Sequence, residues 1–419
     1  MKSAPATEAL TQAQSIAHLG FVLTGVVNTL LGPILPIITR TWHLDDAQAG
    51  RLFAAQFLGA ILGTLASSRV MNAIGIRRTA MLGLLLMSAG VTATGLTDAR
   101  SGALAVVCYG VGLGFVVPAI NLWVALANPS RSAAALNLVN ASWCIGAASG
   151  APLIIYLAEK FGLTRTLAAA GILLALTAIA GFVAAGFSPA SSPTADAPPT
   201  ESAQPANVVA PLSQSSQPLV AVPIAPMPRL QPSAHRSFIV LICAFLFFYV
   251  GTENGIGGWA ATYANRLHIL AASRIGFAES IFYGALLVGR VLAPPILRRI
   301  TAIRLLLAGL IFGAAGALLF TLSTGPLTVL AGICIAGIGL APLFPVTVSI
   351  YSNELGKAAT RWAGLIFAVG NLGGATFPWL IGRISTSTHA LRNGMLVPLV
   401  CIAVMLVVQS RLGRVARSA

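Results

Sequence analysis

Twelve apolar runs, most near the roughly 20 residues that a helix needs to cross a bilayer, recur along this 419-residue chain and leave little of it for anything else. They cover 16–39, 47–71, 79–96, 104–126, 133–157 and 163–187, then 237–263, 273–297, 302–322, 327–351, 358–381 and 395–408. Backbone N–H and C=O groups in hydrocarbon must be satisfied within the segment itself, so runs of this length can only span as helices. Composition points the same way. Of all residues 57% are hydrophobic and 8% charged, against roughly 25% charged in a soluble domain. The expected fold is an all-α membrane protein with 12 transmembrane helices.

A net charge of +15 would imply a nucleic-acid or acidic partner in a soluble chain, but in a membrane chain its distribution matters more. If both termini are cytoplasmic, fifteen of the 25 Lys and Arg fall on the termini side, nine on the other side, and Arg290 lies within a run. The positive-inside rule therefore orients the chain with both termini inside, and no nucleic-acid surface is needed. The reading is a multi-pass plasma membrane protein, a bacterial inner membrane fitting best. The N-terminal stretch 1–14 is polar without a cleavable signal pattern, so the first helix is expected to direct insertion. Cys108, Cys144, Cys243, Cys334 and Cys401 all fall inside runs without metal-ligand spacing and read as small apolar residues.

Between residues 188 and 232 the chain changes character, because 11 of its 24 prolines fall there among Ser, Thr, Ala and Gln. This composition reads as a disordered linker. The boundaries are a tail at 1–15, a six-helix bundle at 16–187, a cytoplasmic linker at 188–236, a second bundle at 237–410 and a basic tail at 411–419. Six runs on either side invite a search for a repeat. GVGLGFVVP at 110–118 matches GIGLAPLFP at 337–345, with two glycines, a leucine and the proline coinciding at an offset of 227. At an offset of 226, Gly50 meets Gly276, Phe57 meets Tyr283, Gly63 meets Gly289 and Pro152 meets Pro378. One frame shared by three helix pairs implies two pseudo-symmetric bundles, with a solute site between them near mid-membrane.

Few acids can carry chemistry. Glu8, Asp196 and Glu201 are placed in the tail or linker, Asp45, Asp46, Asp98 and Glu159 in loops on the far side, and Glu354 in a loop on the termini side. Glu253 and Glu279 remain within helices. A charged group at mid-bilayer costs about 2.5–3.5 kcal/mol on insertion scales, so it faces protein or a water-filled cavity. Glu253, set among Gly251, Gly255, Gly257 and Gly258 in FFYVGTENGIGGW (247–259), is the first candidate to bind solute or carry a coupling proton. The glycines imply a loosened helix lining a cavity; the alternative is a helix end near the interface. Glu279 fits an outer vestibule or a deeper site. Arg290 follows it by 11 residues, about 16 Å at 1.5 Å per residue, too far to pair directly.

Uncharged polar residues cluster in a few helices. Asn28 lies in the first, Gln56 in the second and Asn121 in the fourth, while Asn137, Asn140 and Cys144 share one face of the fifth. Asn254, Trp259, Tyr263, Tyr283 and Asn371 complete the set. Amides and aromatic rings suit a neutral polyhydroxylated ligand. They suit interhelical packing equally well. No HExxH, GxSxG or GxxxxGK[ST] occurs, so neither a soluble-enzyme site nor an ATP-driven pump is indicated, and no cofactor or metal is expected.

Twelve runs, a central linker and the basic loops GIRR (75–78, with Arg77 and Arg78) and LRRI (297–300) resemble the major facilitator superfamily. Two segments, FFYVGTENGIGGW and NLWVALANPSRSAAALNLVNASWCIGAASGAP (121–152), are similar to its fucose and glucose/galactose proton symporter branch. That resemblance implies sugar contacts from Asn137 and Asn140, with gating or structural roles for Arg77, Arg78 and Arg290. The chain also departs from the pattern. The fucose-type acid of the first helix is Asn28 here, the fourth helix has no acid, and Ser67 replaces the loop-motif Asp four residues after Gly63. GAASGAP (146–152) partly resembles the Gly-Pro motif of drug antiporters.

The expected function is secondary transport of a small polar organic solute, a sugar above all, by alternating access with proton coupling. The partners are that solute, a coupling ion and the bilayer, and a monomer would suffice. Alternatives are an exporter of amphipathic compounds or lipids, and a transport-inactive receptor.

Overall fold

The computed structural model describes residues 4–128, 132–186, 232–355 and 359–415. Most of the sequence-predicted linker, together with residues 1–3 and 416–419, lies outside the described residues. Among the described residues the secondary structure is helical, with no strand. Eleven helices among the described residues are long and apolar enough to cross a membrane, and one bent pair, taken as a single span, makes twelve.

The first half runs α1 (Ala4–Asn28), α2 (Leu31–Thr41), α3 (Asp46–Ile74), α4 (Ile76–Leu96), α5 (Ala99–Ala127), α6 (Ser132–Phe161) and α7 (Leu163–Gly186). The second runs α8 (Pro232–Arg266), α9 (Gly276–Leu297), α10 (Ala302–Leu322), α11 (Pro326–Leu340), α12 (Leu343–Leu355), α13 (Ala359–Thr388), α14 (Leu391–Gly394) and α15 (Val397–Val415). Turns between spans are short and chemically marked. Gly75 (φ 90°) and Gly162 (φ 85°) supply the left-handed backbone that joins α3 to α4 and α6 to α7. Asp45 caps α3 in a reciprocal box with Gln48, and Asp98 caps α5 through the Arg100 and Ser101 amides.

The first apolar run is not one straight helix. It bends by 44° between α1 and α2, because Pro33 has no N–H and its ring clashes with the carbonyl four residues back, that of Thr29. The tenth run is interrupted between α11 and α12 at Ala341 and Pro342 but still counts as a single span. Conversely, the glycines around Glu253 do not loosen their helix: α8 runs unbroken from Pro232 to Arg266. They serve close packing instead. A side chain at Gly251 would strike Phe377, at Gly257 Tyr283 and at Gly258 Phe53. Three acids assigned to loops also move, because the helices extend past the apolar runs. Asp46 opens α3, Glu159 lies in α6 and Glu354 in α12, with Asp46 and Glu354 buried.

The repeat read from sequence reappears as geometry. Gly50 on α3 packs against Pro378 and Trp379 on α13, while its counterpart Gly276 on α9 packs against Ala151 and Pro152 on α6. The two contacts are the same contact in the two halves, with partners exchanged. Within the halves, Gly146 abuts the Val22 backbone as Gly373 abuts that of Phe247. His43 and His268, 225 residues apart, end the corresponding helices in left-handed conformation at φ 52°. The halves therefore meet along α3–α13 and α6–α9.

Candidate functional site

Mid-length in the α8 span, Glu253 points into protein and not at lipid. Its carboxylate faces the Arg290 guanidinium of α9 at 4.0 Å, with both side chains almost wholly buried. The Tyr249 hydroxyl, one turn earlier on α8, sits against both charges. Arg290 also reaches across to the first half, where its Nη1 lies 3.8 Å from Cys144 Sγ on α6. Two turns from Arg290 on the Glu279 side, the Tyr283 ring meets Trp143 of α6 edge-on at 6.4 Å. Charge, hydroxyl, thiol and rings from both halves thus meet at their interface. An Arg at this depth is tolerated because a carboxylate and polar groups surround it.

Along the other contact between the halves, that of α3 with α13, lies a cavity of about 260 Å³. It is lined by Ile61, Thr64 and Ser68 of α3, Pro118 and Leu122 of α5, and Asn371 of α13. The Asn371 Oδ1 is buried without a hydrogen-bond partner among the described residues, and Thr64 and Ser68 add hydroxyls to a lining that is otherwise apolar. The cavity lies along the part of α3 nearer the termini side. At the opposite end α3 and α13 close on each other. Asp46 pairs there with Arg266 and accepts from Ser385, and the Ala47 amide donates to Thr386 Oγ1 at 2.9 Å.

The remaining sequence-predicted residues divide by partner. Gln56 donates to the Asn28 carbonyl at 2.9 Å, at the bend of the first span, and accepts from the Tyr109 hydroxyl at 3.0 Å. Asn140 donates to Asn121 at 3.2 Å, joining α5 to α6, and each also bonds its own helix. The Asn137 side chain lies outside the described residues. Asn254 donates to the Val250 carbonyl one turn back. The Trp259 indole donates to the Pro378 carbonyl at 3.0 Å and Tyr263 to the Thr321 carbonyl at 2.9 Å, both within the second half. Arg77 stacks over Trp123 at 5.1 Å, and Arg78 is exposed.

Sequence reasoning left Tyr249, Cys144 and the Asp46 latch out of the site. Tyr249 stands one helical turn from Glu253, so the i, i+4 spacing could have found it. The latch unites residues 46, 266 and 385, and no local pattern announces it. Among the described residues no cluster of three His, Cys, Asp or Glu could hold a metal ion.

A family model described as the Major Facilitator Superfamily matches residues 17–409. No curated protein matches the chain in sequence. Among solved structures, an inward-facing, unoccupied bacterial homologue of the human lysosomal transporter Spinster is similar over 100% of this chain and 99% of its own, with a TM-score of 0.72 and 15% identity. The transporter FucP in its outward conformation is similar over 96% and 99%, with a TM-score of 0.60 and 17% identity. A variant of the E. coli fucose:proton symporter FucP covers 95% and 98%, at a TM-score of 0.57 and 16% identity.

Proposed function

The chain belongs to the major facilitator superfamily, and from that premise we propose that it is a secondary transporter of a small polar organic solute, a sugar above all, working by alternating access with proton coupling. The observation that carries this reading is the Glu253–Arg290 pair, buried where the two halves meet, with Arg290 reaching Cys144 of the first half. Closing the far end through Asp46 and Arg266 while leaving space nearer the termini is what one extreme of an alternating-access cycle requires. Glu253 is the coupling or binding acid in this reading, and Arg290 its internal counter-ion. Asn28, Gln56, Asn121, Asn137, Asn140, Asn254, Asn371 and the rings of Trp259, Tyr263 and Tyr283 supply the polar and aromatic lining, Asn371 most directly. Arg77 and Arg78 act at the gate on the termini side. The setting is a bacterial inner membrane with cytoplasmic termini, and a monomer suffices.

One observation favours a second reading. The cavity walls formed by Ile61, Leu65, Met71 and Leu122 are apolar, which suits export of an amphipathic compound or lipid. Radiolabelled hexose uptake into proteoliposomes, with and without an inward proton gradient, separates the two. For sugar symport the gradient drives accumulation, and Glu253→Gln keeps exchange alone. If no hexose moves under any gradient, the sugar reading fails and amphipathic substrates take its place.

A further inference from the structure

Glu279 stands apart from the Glu253–Arg290 pair, and its surroundings are different in kind. It sits one turn into α9, 1% exposed, with its carboxylate pressed against the backbone of Gly32 on α2. A side chain at Gly32 would collide with that carboxylate. Its Oε2 has no hydrogen-bond partner, and it takes part in no salt bridge among the described residues.

Just beyond it lies a second pocket, of about 210 Å³, at the end opposite the termini. Pro36 and Arg40 of α2, Glu159 of α6, Asn265 of α8 and Ile275 line it. Pro36 is one helical turn from Gly32, and Ile275 is one turn from Glu279. Lining residues of the pocket on both chain segments therefore lie about one turn, roughly 5.4 Å along the helix axis, from Gly32 and from Glu279.

We propose that Glu279 is a proton-binding site, reached from the medium at the end opposite the termini through the pocket between α2, α6 and α9. This deepens the proton-coupled transport reading and rests on it. The step is simple: the carboxylate takes one proton from water in the pocket and returns it when the surrounding helices rearrange. An isolated buried charge costs far more than a buried neutral group, so gain and loss of that proton are tied to how closely α2 and α9 pack. Few titratable groups face the site. Arg40 of α2 and Glu159 of α6 sit in the pocket beyond it. Tyr283 follows one turn along α9 and separates it from Tyr249 and Glu253 of α8 and from Arg290. The neighbouring helices α6 and α11 add Cys144 and Cys334, and Arg274 precedes α9. The Glu253 carboxylate has a guanidinium beside it and Glu279 has none, so Glu279 is a proton site in addition to the ion-paired Glu253 and does not replace it.

The test starts from the wild-type protein in liposomes of known orientation, treated with a hydrophobic carbodiimide, which modifies protonated carboxyls in apolar surroundings. Peptide mass spectrometry is expected to find Glu279 modified and Glu253 spared. Modification should fall as the pH is raised on the side opposite the termini, and should not respond to the other side. Glu279 left unmodified from mildly acid to mildly alkaline pH, or responding only to the termini side, overturns the proposal. In transport, Glu279→Gln should keep solute exchange at the wild-type level and lose gradient-driven accumulation. If that variant accumulates hexose as the wild type does, the proton site is wrong while the transporter reading stands. If wild-type protein moves no hexose yet Glu279 labels as described, the sugar reading fails and the proton site stands.

Discussion

The Arg290 guanidinium of α9 lies 4.0 Å from the Glu253 carboxylate of α8, and the two side chains are 2% and 1% exposed. In such a setting the cost of taking the charges out of water is offset only while both are present. Removing one strands the other, at about 3–5 kcal/mol. Glu253→Gln should therefore lower thermal stability strongly, whereas Glu253→Gln combined with Arg290→Gln should recover a large part of the loss. Unfolding in detergent, followed by tryptophan fluorescence, gives the comparison. A double variant whose loss equals the sum of the single losses would show that the pair is not coupled.

Gln56 satisfies two buried groups at once, the Asn28 carbonyl and the Tyr109 hydroxyl. Gln56→Leu keeps comparable bulk and leaves both without a partner, at about 1–3 kcal/mol for each stranded group. Adding Tyr109→Phe removes one stranded group, so the double variant should melt above Gln56→Leu alone. If it melts lower, the hydroxyl was not the cost.

Asp46 holds Arg266 and Ser385 across the closed end. Arg266 is 43% exposed against 8% for Asp46, so the ion pair itself is worth little and screened by salt. Its importance is positional. Spin labels at Thr41 and Ser387, one in each half, should report longer and broader distances in Asp46→Ala than in the wild type. An unchanged distribution would place the closure elsewhere.

Gly50→Ala and Gly276→Ala make the same intrusion in the two halves, because each added methyl would meet helix backbone within about 3 Å, that of Trp379 in one case and Ala151 in the other. Both should separate the halves at the end opposite the termini, and the same labels should register it for each. An effect from one glycine and none from the other would break the equivalence.

Asp98 is held below the ordinary carboxylate range by hydrogen bonds from the Ser101 hydroxyl and from the Ser101 and Arg100 amides. A group depressed in the folded state stabilises above its unfolded value and loses that contribution as pH falls through the folded value. Amide exchange in the first turn of α5 should accordingly quicken on acidification, relative to the chemical rate. Asp98→Ala should remove that dependence.

The spans were legible because each is a long apolar run that only a helix can satisfy in lipid. The pseudo-symmetry was legible as well, since Gly50, Gly276, Pro152 and Pro378 mark helix crossings where small size or fixed backbone is required. Partner choice was not legible. Glu253 and Arg290 read correctly as buried, yet nothing in their spacing says that they face each other from neighbouring helices. Gln56 and Trp259 read as amide and ring, and only packing reveals that a backbone carbonyl occupies each. The glycines near Glu253 misled for a physical reason, since a missing side chain permits either a loosened helix or a tight crossing, and here it permits the crossing.

The bend at Thr29 and Leu30 divides one span between two owners. α1 packs on α6 and α7 of its own half, whereas α2 packs most on α8 of the other half and touches α9 while keeping contact with α6 and α3 of its own. The first span is thus a strap stitched to both bundles, with a joint that Pro33 creates and Gln56 braces. In the proposed alternating-access cycle, that joint would flex. Anything that changes the fit of Glu279 against Gly32 then pulls on the strap from one end, which gives an event on α9 a mechanical route into the first half without passing through the solute.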